Sequence, residues 1–194
     1  MPHVTCFDDN GGLLKLKNME KNSDSSELHE LFSSEEIKKR VQEISLSISN
    51  DYVNRELHIV GILKGAFIFV ADLVRFLTIP CYIHFLRASS YGSKKISSGQ
   101  VKIQHTLNLA NKHILLVEDI VDTGLTLNSV INELQVQHPA SLKICSLLDK
   151  PVARKTSIEV DYIGFTIPNK FVVGYGIDFS EHYRELPYIA ELKD

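Results

Sequence analysis

The stretch HILLVEDIVDTGLTL, from His113 to Leu127, decides the fold. Ile114 to Val117 form an unbroken apolar run, the pattern of a strand buried on both faces. Three carboxylates follow, Glu118, Asp119 and Asp122, and then Thr123, Gly124, Leu125 and Thr126 make a hydroxyl-rich turn into an amphipathic segment. A strand that turns through glycine into a helix is half of a βα unit, and open sheets of such units bind ligands beyond the carboxyl ends of their strands. The turn can wrap a phosphate with backbone N–H groups and two hydroxyls, since glycine permits the tight bend and a helix N-terminus favours an anion. The acids would repel a bare polyphosphate unless each meets a sugar hydroxyl, a metal ion or a transferable proton. The ligand this implies carries a phosphate and a diol, with Mg²⁺ beside it. Two other phosphate motifs fail: GxxxxGK[ST] is missing, and Gly174-Tyr175-Gly176 lacks the third glycine of GxGxxG.

Outward from this stretch, strands and helices alternate. Ser33 or Ser34 caps a helix that carries Glu35 and Glu36 in its first turn and Ile37, Val41, Ile44 and Ile48 on one face. LHIVGIL, residues 57–63, is a buried strand, followed by a helix over 65–77. CYIHFLRASSY and QVKIQHTL are two strands of a long hairpin around the polar tip GSKKISSG, with Val101, Ile103 and His105 on one side of the second. After HILLVED come a helix over about 125–136, the strand LKICSLLD, and two further strands, DYIGF and FVVGYG. The order predicts an α/β fold with a mostly parallel twisted sheet flanked by helices. Residues 1–28 are polar, with no period that could bury a face, and read as a loosely held extension of one domain over 29–194.

Composition narrows the function. A chain of 194 residues with 44% apolar content buries one sizeable core, and a net charge of −3 supplies no bulk attraction to nucleic acid or to an anionic membrane. Cys6, Cys81 and Cys145 lack metal-ligand spacing and read as reduced thiols in the cytoplasm. The acidic MPHVTCFDD does not read as a signal peptide, and Lys64 and Asp72 interrupt the most apolar stretch, so no membrane partner is expected.

VEDIVDTGLTL is similar to the phosphoribosyl-pyrophosphate (PRPP) signature of the type I phosphoribosyltransferases. LKGAFIFVADLVR, RASSYGSKKISSGQVKI, SLLDKPVAR and VDYIGFTIPNKFVVGYGIDFSEHYRELPYI resemble, in the same order, the hypoxanthine-guanine branch of that family. The resemblance runs from about residue 28 to the end. It implies purine salvage, in which a purine nitrogen displaces pyrophosphate from PRPP to give IMP or GMP, with Mg²⁺ as cofactor. It also implies a homodimer or homotetramer, and a C-terminal hood over about 165–194 joined by part of the N-terminal region.

Residue by residue, the resemblance gives Glu118 and Asp119 the ribose diol and its metal, and Asp122, Thr123, Gly124, Leu125 and Thr126 the 5′-phosphate end of PRPP. Asp122 is also the general acid/base at the purine; the alternative, from the residues alone, is that it caps the following helix. Lys64, Gly65 and Arg184 take pyrophosphate, although many relatives carry a second glycine where this chain has Ala66. Lys150, Phe171, Val172 and Asp178 form the purine site, Asp178 also serving as a metal ligand. Lys150 donates to a 6-oxo group, against the alternative of a solvated strand end; for Phe171 and Val172 the alternative is strand core, and for Arg184 a surface ion pair with Glu181 or Glu185. Ser90 and Tyr91 open a loop that closes over the reacting carbon. Two rival functions remain at this level: a PRPP-sensing regulator, which would need a basic nucleic-acid face, and a phosphoribosyltransferase for another base.

Overall fold

A computed structural model of the protein describes residues 28–90, 101–104 and 107–193, with the backbone alone described at 89, 90 and 101–104. In chain order the elements are β1 (Leu28–Phe32), α1 (Ser34–Asp51), β2 (Leu57–Leu63), α2 (Phe67–Phe76), β3 (Cys81–Ser90), β4 (Val101–Gln104), β5 (His113–Val121), α3 (Leu125–Gln135), β6 (Ser141–Asp149), β7 (Tyr162–Thr166), β8 (Val172–Val173) and β9 (Ile189–Leu192). The main sheet has the order β4-β3-β2-β5-β6-β7, parallel throughout except that β4 returns antiparallel to β3. From β2 the chain moves outward to β3, then jumps back across β2 to β5. The carboxyl ends of β2 and β5 therefore flank the switch point, where the helices that follow leave on opposite faces and a crevice opens.

The two faces of the sheet explain why the central runs of β2 and β5 are apolar. On one, Ile37, Val41, Ile44 and Ile48 of α1 and Phe69, Val70 and Leu73 of α2 pack with Leu57, Ile59, Leu115 and Val117. On the other, Leu127, Val130 and Leu134 of α3 cover Val60, Ile62, Ile114 and Leu116. Alternate residues of β2 and β5 thus point into two separate cores, so neither strand shows a polar face. Helix α1 starts at a reciprocal cap: the Glu36 N–H donates to Ser33 Oγ and the Ser33 N–H to the Glu36 carboxylate.

Several boundaries differ from the sequence reading. FVVGYG is not another strand of the main sheet. Its extended part is β8 alone, and it joins β1 and β9 in a separate antiparallel sheet of order β1-β9-β8. The backbone leaves extended geometry at Gly174 (φ 102°), Tyr175 (φ 50°) and Gly176 (φ 100°), folding the chain into a tight turn. β1 and β9 were not foreseen because each is short and finds its partner at the opposite end of the chain, Leu28 opposite Leu192. The second helix begins at Phe67 rather than at residue 65, since Gly65 and Ala66 form a turn. Residues 1–27, the hairpin tip GSKKISSG with Tyr91, and His105 lie outside the described residues.

Candidate active site

The crevice at the switch point, about 230 Å³, is bounded by Leu63, Lys64 and Gly65 at the end of β2 and by Glu118 to Gly124 and Thr126 at the end of β5, while the Leu125 side chain is exposed and does not line it. Gly124 caps α3 with φ at +79° and no side-chain hydrogen bond, so Asp122 is not the helix cap. Asp122 instead has a side chain 47% exposed, with its Oδ2 3.6 Å from Lys150 Nζ. The opening N–H groups of α3 have no intrahelical acceptor and bear the positive end of its dipole, the arrangement an anion binds. Thr123 Oγ1 lies 3.5 Å from the Leu125 nitrogen, a weak local contact that a ligand oxygen can replace.

Glu118 and Asp119 stand side by side at the floor of the crevice. Burial, and then the neighbouring Asp119 carboxylate, push the Glu118 carboxyl well above its usual range, while Glu118 Oε2 has no hydrogen-bond partner among the described residues. Burial raises Asp119 too, opposed by the Ile120 N–H, which donates to Asp119 Oδ1 at 2.9 Å. Two desolvated acids with an unpartnered oxygen suit a hard divalent cation that takes its other ligands from water and substrate oxygens. No group of three or more His, Cys, Asp or Glu converges among the described residues, so the protein offers part of a coordination shell, not a closed cage.

A pH dependence follows from the raised carboxyls. Between the usual Glu value of 4.5 and its higher native value, the folded chain holds more protons than the unfolded one, so this pair's contribution to stability falls as pH rises. Glu118→Gln has no charge to desolvate. In metal-free buffer its melting temperature should match that of the wild type near pH 4.5 and exceed it increasingly as pH rises from there, until the native Glu118 carboxyl has ionised. A constant difference across that range, measured by thermal melts, would show that the pair is not coupled to folding.

Gly65 makes the close approach to Asp119 possible. A Cβ at position 65 would fall 1.6 Å from Asp119 Oδ2, with the carboxyl carbon at 2.4 Å. Gly65→Ala must displace either the carboxylate or the turn, and a misplacement of about 1 Å at a reacting centre costs about 10²-fold in rate. The expected variant folds with near-native melting behaviour and loses about that factor in kcat, an outcome steady-state kinetics with circular dichroism will read.

The peptide joining Leu63 to Lys64 is cis. Lys64 Nζ pairs at 2.6 Å with Glu181, which also lies 3.3 Å from Arg184. Arg184 is held from behind, donating to the Gly176 carbonyl at 2.8 Å and pairing with Asp178 Oδ1 at 2.8 Å, while its buried Nε has no partner among the described residues. It is therefore more than the surface pair its sequence neighbours suggest. Asp178 Oδ2 accepts the Glu181 N–H at 2.8 Å, so both carboxylate oxygens are engaged, each retaining a further lone pair. Gly176 brings this segment against the β2–α2 turn: a Cβ there would fall 2.2 Å from the Gly65 carbonyl oxygen.

At the other side of the crevice Lys150 is 5% exposed, which removes the solvated-end alternative. Phe171 is 52% exposed and so is not strand core, whereas Val172 is buried at 3%. Phe171 meets Phe179 edge to face, ring centroids 5.6 Å apart, leaving an aromatic face uncovered. Ser90 is the last residue of β3, paired with Val101 across the hairpin, and Tyr91 lies outside the described residues.

Sequence reasoning passed over Asp149, Arg154 and Thr156, which stand behind the turn after β5. Arg154 pairs with Asp149 and donates to the Asp122 and Ile158 carbonyls. The available signal was an acid closing the apolar run of β6, which needs a cation when buried. Glu181 on Lys64 was equally unforeseen, because its partner is remote in sequence.

With this geometry in place, comparison with known proteins is direct. A family model described as the phosphoribosyl transferase domain matches residues 27–180, which makes the crevice that of a phosphoribosyltransferase. The hypoxanthine phosphoribosyltransferase of Buchnera aphidicola is 44% identical over 166 residues, 84% of this chain and 94% of its own. The hypoxanthine-guanine phosphoribosyltransferase of Bacillus subtilis is 43% identical over 165 residues, covering 84% and 92% respectively. A crystal structure of a Staphylococcus aureus hypoxanthine phosphoribosyltransferase aligns with a TM-score of 0.82 at 42% identity, covering 90% of this chain and 97% of that one. The chain belongs to the hypoxanthine-guanine phosphoribosyltransferases, enzymes of purine salvage.

Proposed function

We propose that the enzyme transfers the 5-phosphoribosyl group of PRPP to a 6-oxopurine, hypoxanthine or guanine or both, giving IMP or GMP and pyrophosphate. The observation that carries this reading is the 3.6 Å approach of buried Lys150 to Asp122 beside the anion-binding turn, which puts a donor-only cation and a carboxylate at one end of a phosphate site. Lys150 donates to the 6-oxo oxygen; adenine would present its amino group donor to donor. Phe171 stacks on the purine, and Val172 offers main-chain groups to its edge. Asp122 takes the proton from the purine ring nitrogen as bonding to the anomeric carbon proceeds, and returns it in the reverse direction.

Thr123 to Thr126 hold the 5′-phosphate, while Glu118 and Asp119 accept from the ribose hydroxyls. Lys64, the Gly65 N–H and Arg184 take the pyrophosphate, for which Glu181 must release both cations. Glu118 and Asp119 would hold one Mg²⁺ beside the ribose, and Asp178 would hold a second at the pyrophosphate, with water and substrate oxygens completing each shell. When bound, Mg²⁺ offsets the charge of the departing pyrophosphate. Closure of the loop opened by Ser90 and Tyr91 would exclude water from the cationic carbon.

We further propose that the protein works in the cytoplasm as a homodimer or homotetramer. Cys81 and Cys145 are unpaired, and no described helix is long and apolar enough to cross a membrane. Ile83 and Phe85, on one face of β3, and Phe67 of α2 are 48%, 42% and 42% exposed, apolar surface of the kind a second copy would cover. Sedimentation equilibrium reads the state, and a strict monomer would refute it. Incubation with PRPP, Mg²⁺ and each base in turn, followed by ultraviolet absorbance, tests the reaction. Turnover confined to adenine, or with no base at all, would overturn it.

A further inference from the structure

We infer that Arg154, with Thr156, is a positioning residue for the 5′-phosphate turn, holding its carbonyls to the rear so that its N–H groups face the ligand; this rests on the reading of Thr123 to Thr126 as the phosphate site. Three successive carbonyls are drawn the same way. Val121 O accepts the Lys150 N–H at 2.9 Å and Arg154 at 3.5 Å, and Asp122 O accepts Arg154 Nε at 3.2 Å. Thr123 O accepts the Lys155 N–H at 2.9 Å and the Thr156 hydroxyl at 3.4 Å.

In a trans peptide the carbonyl and the following N–H point in opposite directions. Fixing the oxygens of Val121, Asp122 and Thr123 rearward therefore aims the N–H groups of Asp122, Thr123 and Gly124 into the crevice. The same contacts set the backbone from which the Asp122 side chain leaves.

The pair behind the turn is built into the fold. Arg154 and Asp149 have side chains 14% and 10% exposed and are joined to each other, and Arg154 also donates to the Ile158 carbonyl at 3.1 Å. Only a guanidinium presents enough donors in one plane to serve the Asp149 carboxylate and carbonyls on both sides at once. The fit is close: a Cβ at Gly124 would fall 2.4 Å from Thr156 Oγ1 and 3.0 Å from Arg154 Cδ. Asp149 and Lys150 are adjacent, so one clamp fixes both the phosphate turn and the strand exit that carries Lys150.

Arg154→Lys keeps the charge opposite Asp149 and loses the fork. The readout is the ratio of affinities for IMP, by calorimetry, and for inosine, by competition against IMP. General loosening weakens both ligands together and leaves the ratio alone, whereas a misaimed turn weakens only the ligand that carries the phosphate. The ratio should fall about tenfold in Arg154→Lys, the cost of about one charge-assisted hydrogen bond. It should fall by a smaller factor in Thr156→Val, which preserves shape and charge. An unchanged ratio in folded Arg154→Lys overturns the inference. If Arg154→Lys does not fold, Thr156→Val decides, and a wild-type ratio there overturns it. A wild-type protein that binds inosine as tightly as IMP would instead refute the phosphate site itself.

Discussion

Asp122→Asn should lower kcat by about 10²–10⁴-fold while leaving the KM for PRPP within a few-fold of the wild type, the range that loss of a positioned proton acceptor produces. The substitution keeps the shape of the side chain and removes its ability to take a proton. The phosphate turn is held by backbone contacts and by Arg154, not by the Asp122 carboxylate, so PRPP should still bind. Asp122 caps no helix, because Gly124 does that without a side-chain bond, and so the variant should not lose helix stability. Steady-state kinetics with saturating base, beside a thermal melt, separates the outcomes: undiminished kcat would remove the proposed proton transfer, and a lost melt would mark Asp122 as structural.

Lys150→Gln should carry the second large effect, a change in which bases react. Lys150 is 5% exposed and its ammonium has only donors, so a 6-oxo oxygen satisfies it while an amino group leaves two donors facing each other in a desolvated place. Sites built on such a bond discriminate by about 10⁴-fold. The glutamine amide can turn either its oxygen or its nitrogen to the base, and the ratio of kcat/KM for hypoxanthine over adenine should collapse toward unity, mainly through loss with hypoxanthine. The substitution also removes the cation 3.6 Å from Asp122, so kcat with hypoxanthine should fall as well. A retained preference, with each base assayed separately, would transfer base selection to other groups.

Gly65→Ala makes a complementary point about how much of the site local sequence can show. The glycine after Lys64 is visible in the chain, and so is the pair Glu118-Asp119. That an added methyl would fall 1.6 Å from Asp119 Oδ2 is a fact of strand order, since β2 and β5 become neighbours only through the crossover. Phe171 illustrates the converse. Its setting in FVVGY is that of a core strand, yet β8 begins only at Val172, and the Phe171 ring is left half exposed against Phe179.

Elements whose stabilising contacts lie close along the chain were legible in the sequence itself. The capped helix α1, the doubly buried strands β2 and β5, and the glycine turn after β5 each carry their reason within a dozen or so residues, in periodicity, capping and backbone freedom. Residue types likewise determined the chemistry on offer: an anion cradle beside acids that need a hydroxyl, a cation or a proton. Tertiary structure alone decided which groups share a crevice, by pairing β1 with β9 from opposite ends of the chain, seating Gly176 against Gly65, and setting Arg154 behind the phosphate turn. The physical reason is that pairings between distant segments depend on the closure of the whole core, and the free energy that holds them is the burial of two separate apolar faces, which no single segment possesses.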